Sequence, residues 1–590
     1  VDLGGGDGGG RGHPLARGAR AARARHRPVG AHRRPAGRVA PAFISISNCI
    51  SNCISNCISN CISNCISNCI SNCISICNCI CNCISICNCI CNCNLTRICN
   101  RIRMPMSHPP VDHFPLAPGL DIARVITGLW QVADLERDGR VADLDAMAAA
   151  MGPYVAAGLT TFDMADHYGS AEVVAGRFVA EGHATGPVQR LTKWVPEPGP
   201  VTAADAEAAV ARACQRLQAS RVDLMQYHAW TFADPRWLDA LWQLEALRDA
   251  GRIGAVGVTN FDTAHLRIAI ASGIRLVSNQ VSGSLVDRRF TQRLAPYAAA
   301  HGVGLLCYGT VLGGFLSERW LGAPEPEWEA LATWSQMKYG RFIRAAGGWA
   351  PFQGVLRAAD VVARKHGVSI AMVASRWVLE QSGVAAVIIG ARLGVSAHVE
   401  ESRRLLAFRL DEGDHARLAE AQDALAPIPG DCGDEYRTPP FLTASGDLSH
   451  HLSSFPAPFA VREGGDGRTL ALSGTVWEPM AGYSRAVRKG NRIHVSGTTA
   501  THGSRAIGGN DPAAQAHFCL DKIAGALQSL GGRLEDVVRT RVFVADRDLW
   551  EPVARAHGER FGHVLPANTL VEARLIGDEY LVEIEAEAEL

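Results

Sequence analysis

The chain contains no uninterrupted apolar run of about 18 residues or more, the length a membrane-crossing helix needs, so no membrane partner is expected. It also lacks net charge: 58 basic residues balance 58 acidic ones. That removes the general electrostatic reason to expect nucleic acid or an anionic surface as partner. No G-x-G-x-x-G follows a strand-like run, so a Rossmann dinucleotide site is not expected. Cysteine is scarce outside one tract. Sixteen of the 20 lie between Cys49 and Cys99, leaving Cys214, Cys307, Cys432 and Cys519 for the rest. The body therefore reads as a reduced-compartment, cytoplasmic chain with a small-molecule ligand, not a disulfide scaffold.

At 590 residues the chain exceeds one ordinary core, and two to four domains are expected. Residues 1–103 are set apart by composition. The arginine-rich, acid-free start is similar to an organelle transit peptide but poor in serine. The "SNCI" tract after it repeats every four residues, which matches neither the helix period nor the strand period. Its C-x-C spacing between Cys77 and Cys93 would suit a thiolate metal cluster, but a translated nucleotide repeat is the simpler reading. No metal site is expected, and residues 1–103 are read as low-complexity or excess sequence, or a targeting remnant.

From Ala123 the pattern changes. Eight strand-like runs follow: "RVITGLW", "TTFDMA", "QRLTKW", "VDLMQYH", "IGAVGVTNF", "LVSNQV", "GLLCYGT" and "AAVIIGA". Amphipathic stretches separate them, several closed by the glycine expected just past a helix end. Alternation over roughly 300 residues predicts an α/β fold, a (β/α)8 TIM barrel spanning 107–435. In that fold the functional groups gather at the C-terminal ends of the strands. Asp163 and Tyr168 then follow strand two, Lys193 ends strand three and His228 ends strand four. Asn260, Gln280, Tyr308 and Arg392 follow at the ends of strands five to eight. Any one of these could be a solvated loop residue, and Asp166 and His167 are read that way. The full set at successive strand ends is not expected by chance.

"FDMADHYGSAE", "LTKW", "VDLMQYH", "GVTNF", "SNQV", "CYGTVLGGFLSERW" and "VIIGARLG" together resemble the aldo-keto reductase superfamily over residues 113–430. The resemblance implies a catalytic tetrad of Asp163, Tyr168, Lys193 and His228. It implies a nicotinamide cofactor held by Gly128, Trp130, Thr259, Asn260, Gln280, Tyr308, Gly309, Gly390, Arg392, His398 and Glu401, with Tyr308 stacking on the ring. A carbonyl receiving hydride develops alkoxide charge, so an acid must supply a proton. Tyr168 is expected in that role, with the Lys193 ammonium lowering its pKa, Asp163 orienting Lys193, and His228 orienting the carbonyl oxygen. Arg392 offers paired donors to a 2′-phosphate, which favours NADPH over NADH. Ser402 stands where the family usually has asparagine, and the segment after Arg392 is longer than usual. Trp230 and Trp334 either wall the substrate pocket or pack.

Residues 436–475, rich in proline, glycine and serine, read as a linker. Beyond them, "NRIHVSGTTA", "VVRTRVFVAD", "NTLVEARL" and "YLVEIEAEAEL" read as strands, and "DPAAQAHFCLDKIAGALQSLGG" and "WEPVARAHGERFG" as helices, giving a small α+β domain over 476–590. "GYSRAVRKGNRIHVSG", "GGRLEDVVRTRVFV" and "VEIEAEA" resemble the Rid (reactive intermediate deaminase) family. Tyr483 and Glu583 match its cleft, but Asn568 stands where enamine-hydrolysing members carry an arginine, and Ala554 where an asparagine is expected. A neutral amide cannot supply the arginine's bidentate grip on a carboxylate. The resemblance implies a homotrimer through this domain. The expected whole is an NADPH-dependent reductase of small carbonyl compounds fused to a Rid-like domain. A nicotinamide-binding regulatory subunit and a bifunctional reductase and deaminase are the alternatives.

Overall fold

The computed structural model describes residues 111–136, 141–444, 446–452 and 456–590; the readings made for residues 1–103 lie outside them. A hairpin, β1 (His113–Ala117) and β2 (Leu120–Ala123), opens the described chain. Eight parallel strands then close a barrel: β3 (Val125–Gly128), β4 (Thr161–Asp163), β5 (Gln189–Trp194), β6 (Val222–His228), β7 (Ile253–Thr259), β8 (Ser278–Ser282), β9 (Gly304–Tyr308) and β10 (Val384–Gly390). β10 pairs with both β9 and β3, which completes the ring. Each of the eight strand-like runs of the sequence forms one of these strands. Their continuous apolar character follows from burial on both faces, as in "VAAVIIG" of β10, where the first five residues are buried.

The hairpin packs Leu116 and Leu120 into one cluster with the inward residues Ile126, Leu191, Leu224, Ala255 and Leu306. Gly304, which starts β9, lies directly against Leu116 and Phe114. The starting ends of the strands are thereby filled, leaving the C-terminal ends as the open mouth. Helices between strands begin on side-chain caps that the sequence supplies: Thr202 and Asp205 form a reciprocal capping box, and Asp262 accepts the His265 amide.

The second sheet has seven strands in the order β11-β12-β13-β14-β19-β17-β18. They are β11 (Ala460–Glu463), β12 (Arg468–Leu472), β13 (Ala486–Lys489), β14 (Arg492–Thr499), β17 (Val537–Val544), β18 (Ala567–Glu572) and β19 (Val582–Glu589); a small separate ribbon joins β15 (Thr501–His502) to β16 (Arg505–Ala506). The stretch read as a linker is thus partly built into this sheet, since β11 and β12 fall within 436–475. All four residues of β11 are exposed and only Ala471 of β12 is buried, so neither carries the alternating signature of a half-buried strand. β19 carries it clearly. Val582, Ile584, Ala586 and Ala588 are buried, while Glu583, Glu585 and Glu587 alternate with them on the other face. The helices Pro512–Ser529 and Trp550–Phe561 pack together, and the first lies on the sheet and against the barrel helix Thr263–Ala271.

Candidate active site

A cavity of about 750 Å³ opens at the C-terminal mouth of the barrel. It brings together Gly128, Trp130, Asp163, Tyr168, Lys193 and His228, and on its other walls Thr259, Asn260, Gln280, Tyr308, Gly309 and Gly390. Arg392, His398 and Glu401 do not line it. They are exposed beyond the end of β10, where Arg392 bridges to Ser396 and His398 pairs with Glu401.

At the floor, Lys193 Nζ donates to Asp163 Oδ2 at 2.7 Å and to the Met164 carbonyl at 2.8 Å. Both side chains are buried. The other carboxylate oxygen accepts from Gln280 Nε2 at 2.8 Å and Gln226 Nε2 at 3.2 Å, and Gln280 also donates to Gln226 Oε1 at 3.1 Å. Asp163 is therefore saturated with donors. Burial pushes the Lys193 pKa down, with Asp163 opposing it.

Tyr168 stands over this pair, its ring centroid 4.8 Å from Lys193 Nζ and in edge contact with Trp130 at 4.9 Å. Its pKa does not fall as the sequence led us to expect. Burial and the nearby Asp163 carboxylate raise it well above the usual tyrosine value. The ammonium charge is engaged by Asp163, so the phenol keeps its proton.

His228 is buried among Trp230, 4.6 Å away by ring centroid, and Tyr436 at 5.7 Å. Neither of its ring nitrogens makes a well-formed hydrogen bond. Burial first, and then the Arg437 charge, hold its pKa well below the usual histidine value, which favours the neutral ring. A buried neutral imidazole whose nitrogens lack a well-formed hydrogen bond can donate to or accept from a ligand oxygen in the cavity.

Asn260 sits in left-handed backbone at φ 59°, a conformation asparagine tolerates better than most residues. Its Oδ1 accepts from the Tyr308 hydroxyl at 2.7 Å. Gly309, at φ 77°, must lack a Cβ because the Tyr339 hydroxyl occupies that space. The Gln131 amide lies over Gly390, and its Oε1 is buried. These amides, glycines and Gln131 form a polar crevice that suits the carboxamide and phosphate edges of a dinucleotide.

Several cavity residues carried no recognisable signal in the sequence. Lys338, on the helix Trp334–Ala345, donates to the Tyr436 hydroxyl at 2.8 Å and lies 4.7 Å from the ring centroids of both Tyr308 and Tyr436. Burial opposes its charge, but Tyr436, Tyr339 and Glu435 hold its pKa above the ordinary lysine value. Tyr436 and Arg437 belong to the short helix Asp434–Arg437 just past the barrel. The acid-aromatic-base run "DEYR" is the one clue they gave. Ala444, Gly446, His450 and His451 extend the same wall, and Trp230 contacts His451. Both Trp230 and Trp334 line the cavity.

In the second domain Tyr483 accepts from Arg485 Nη2 at 3.1 Å, and Glu583 lies against Gly497, its pKa raised by burial and Glu585. Asn568 is exposed and donates to Thr540 Oγ1 at 2.9 Å. Arg485, which sequence reading passed over, is buried and commits Nη1 to the Gly497 carbonyl and Thr498 hydroxyl. It cannot replace the missing arginine as a free grip.

A closed parallel barrel with buried Asp163, Lys193 and His228 and a half-buried Tyr168 at its C-terminal mouth is a (β/α)8 scaffold with a proton-handling site. The chain belongs to the aldo/keto reductase family, which it matches over residues 124–423, and this membership supports oxidoreductase activity on carbonyl compounds. Residues 475–590 match the family described as Endoribonuclease L-PSP, the Rid-type domain. An uncharacterized protein of Streptomyces coelicolor is 38% identical over 117 residues, 20% of this chain and 87% of that one. Flagellar radial spoke protein 5 of Chlamydomonas reinhardtii is 32% identical over 177 residues, 27% of this chain and 33% of its own length. A solved structure from Mycobacterium tuberculosis, a member of the YjgF/YER057c/UK114 family, is 43% identical and covers 21% of this chain and 99% of its own, with a TM-score of 0.19. Among the described residues no helix is long and apolar enough to cross a membrane.

Proposed function

We propose that the chain is an NADPH-dependent reductase that converts small aldehydes or ketones to alcohols. The observation that carries this reading is the placement of Tyr168 above the buried Asp163–Lys193 pair, its ring centroid 4.8 Å from Lys193 Nζ, with His228 lining the same cavity. When bound, the nicotinamide supplies hydride to the carbonyl carbon. The neutral His228 donates a hydrogen bond that orients the carbonyl oxygen. Tyr168 then transfers its proton to that oxygen as the alkoxide forms, its ring held by edge contact with Trp130 and by the Lys193–Asp163 pair beside it. Asp163 keeps Lys193 in place through Oδ2, while Gln226 and Gln280 fix Oδ1. Thr259, Asn260, Gln280 and Tyr308 would hold the nicotinamide end, Gly128, Trp130, Gly309 and Gly390 the crevice walls, and Arg392 with His398 and Glu401 the exposed adenosine end. Arg392 is the basis for preferring NADPH to NADH.

The Rid-type domain in this reading assembles the chain, as a homotrimer, without hydrolysing imines. Asn568 in place of a gripping arginine supports the loss of hydrolysis. The exposed apolar residues Val538, Val571, Leu565 and Ile576 support an assembly surface. The reductase reading is tested by following NADPH and NADH consumption with aldoses, aliphatic aldehydes, aromatic aldehydes and quinones. No turnover with any class would refute it.

A further inference from the structure

The two folded domains meet at a buried ionic chain that ends at the mouth of the barrel. His265, on the barrel helix Thr263–Ala271, is 4% exposed. Its Nδ1 lies 2.7 and 2.6 Å from the two oxygens of Asp262, and its Nε2 lies 3.1 Å from Asp521 Oδ2 on the second domain's helix Pro512–Ser529. The other oxygen of Asp521 accepts from Arg560 Nη2 at 2.6 Å. An imidazole between two carboxylates donates to both only when protonated, and a buried charge holds its place firmly only when its partners are fixed.

From His265 the chain of contacts runs toward the cavity. Its ring stacks on Phe232 at 3.4 Å and 10°, and the Arg437 guanidinium lies 4.6 Å from the centroid of that same Phe232 ring. Arg437 Nη2 donates to the Asn260 carbonyl at 2.7 Å and Nη1 to the Ala229 carbonyl at 3.3 Å. Ala229 follows His228 directly, and Asn260 is itself a cavity wall. A second line runs beside the first: Glu559 of the helix Trp550–Phe561 pairs with Arg293, which donates to Asp431 at 3.1 Å, at the start of the segment that carries Tyr436.

We propose that Asp521 is a positioning residue of the reductase site, acting from the second domain through His265, Phe232 and Arg437 to fix the ends of β6 and β7. This rests on the reductase reading of the cavity, and it gives the fusion a purpose beyond tethering: the barrel completes its site only when the second domain is docked. Other interdomain contacts, such as His502 to Asp239 at 2.8 Å, hold the domains together without leading to the cavity.

The test compares the full chain with Asp521→Asn, Asp521→Glu and Asp239→Asn. NADPH affinity is read by tryptophan fluorescence, and amide hydrogen exchange is read over residues 228–233 and 258–262. Asp521→Asn is expected to weaken NADPH binding about tenfold, an ordinary size for coupling between sites, and to speed exchange in both segments but not in β10. Asp521→Glu should recover most of each effect, and Asp239→Asn should match the wild type. Unchanged exchange in Asp521→Asn, or the same loss in Asp239→Asn, would overturn the proposal. If Asp521→Asn does not fold, His265→Gln serves in its place with the same expected and overturning results. Should the wild type bind no nicotinamide, the reductase reading fails while the exchange data still decide whether the relay exists.

Discussion

Lys193 lies 4.8 Å from the centre of the Tyr168 ring, yet it spends its hydrogen bonds on Asp163 and the Met164 carbonyl. The ammonium is thus neutralised by the carboxylate beneath it, and burial dominates the ionisation of the phenol above it. Tyr168 is raised and His228 lowered, so both are held in the protonation states that a proton donor and a neutral orienting group require.

Tyr168→Phe should therefore lower carbonyl reduction by about 10²-fold or more, the scale of lost general acid catalysis, with nearly unchanged NADPH affinity. In the wild type kcat should show no break across neutral pH from either group, because burial moves the Tyr168 pKa up and the His228 pKa down, away from neutrality. Stopped-flow rates across that range check both points. A break in kcat near neutrality that vanishes in Tyr168→Phe would show a phenol with a lowered pKa.

Gln226 is fully buried and shares Asp163 Oδ1 with Gln280. Gln226→Leu removes one donor from a buried carboxylate and one of the two acceptors of the Gln280 amide, at a cost of about 1–3 kcal/mol. Gln226→Glu should be worse, since an ionised carboxylate there repels Asp163. Chemical denaturation of the three chains should rank wild type above Leu above Glu, and a Glu variant as stable as the wild type would contradict the arrangement.

The barrel and the Asp163, Tyr168, Lys193 and His228 cluster were legible because each strand is a compact apolar run and each site residue sits at its end. Lys338 and Tyr436 were not. One lies on an ordinary amphipathic helix, the other in a proline- and glycine-rich stretch, and only the fold brings the Lys338 ammonium to the Tyr436 hydroxyl. The domain interface was beyond reach for the same reason: His265 and Asp521 are 256 positions apart and neither belongs to a motif. The expected lowering of the Tyr168 pKa failed because it weighed the Lys193 charge alone, whereas burial first and then the Asp163 carboxylate raise it, and neither magnitude can be read from sequence.

The ionic chain between the domains predicts an alkaline loss of stability. Burial opposes the His265 charge, but Asp262 and Asp521 outweigh it, with Arg437, Arg560 and the neutral His517 as the other polar neighbours, and the net shift is upward. A pKa raised above its unfolded value of about 6.5 contributes stability that is complete below that pH and is lost as pH rises through the folded pKa. His228 and His517 are shifted the other way and weaken the fold on the acid side, so the effect is isolated by difference. The gap in unfolding free energy between the wild type and His265→Gln should be widest below about pH 6.5 and narrow toward alkaline pH. A gap that widens with pH would mean His265 is neutral in the folded chain.

The last prediction concerns the open face of the second sheet. Its helical face is covered by the helices Pro512–Ser529 and Trp550–Phe561, and the first of these also meets the barrel, so removing the whole domain would strip His265 of Asp521 and confound assembly with site integrity. Point changes on the other face avoid this. There Arg541 pairs with Glu585 and Glu587, each at 3.0 Å, and Val571 is exposed, with Val538 exposed at the bulge where β17 begins. If the homotrimer forms, an added charge within an apolar contact should split it, because an unpaired charge buried at an interface costs more than the contact returns. Val571→Lys with Val538→Glu should move light scattering from trimer to monomer while each barrel reduces carbonyls as before. Ammonia release from 2-aminoacrylate should be at background for the wild type, since Asn568 cannot grip a carboxylate as arginine does. A wild type that is already monomeric, or one that releases ammonia at enzymatic rates, would show that this domain was kept for something other than assembly.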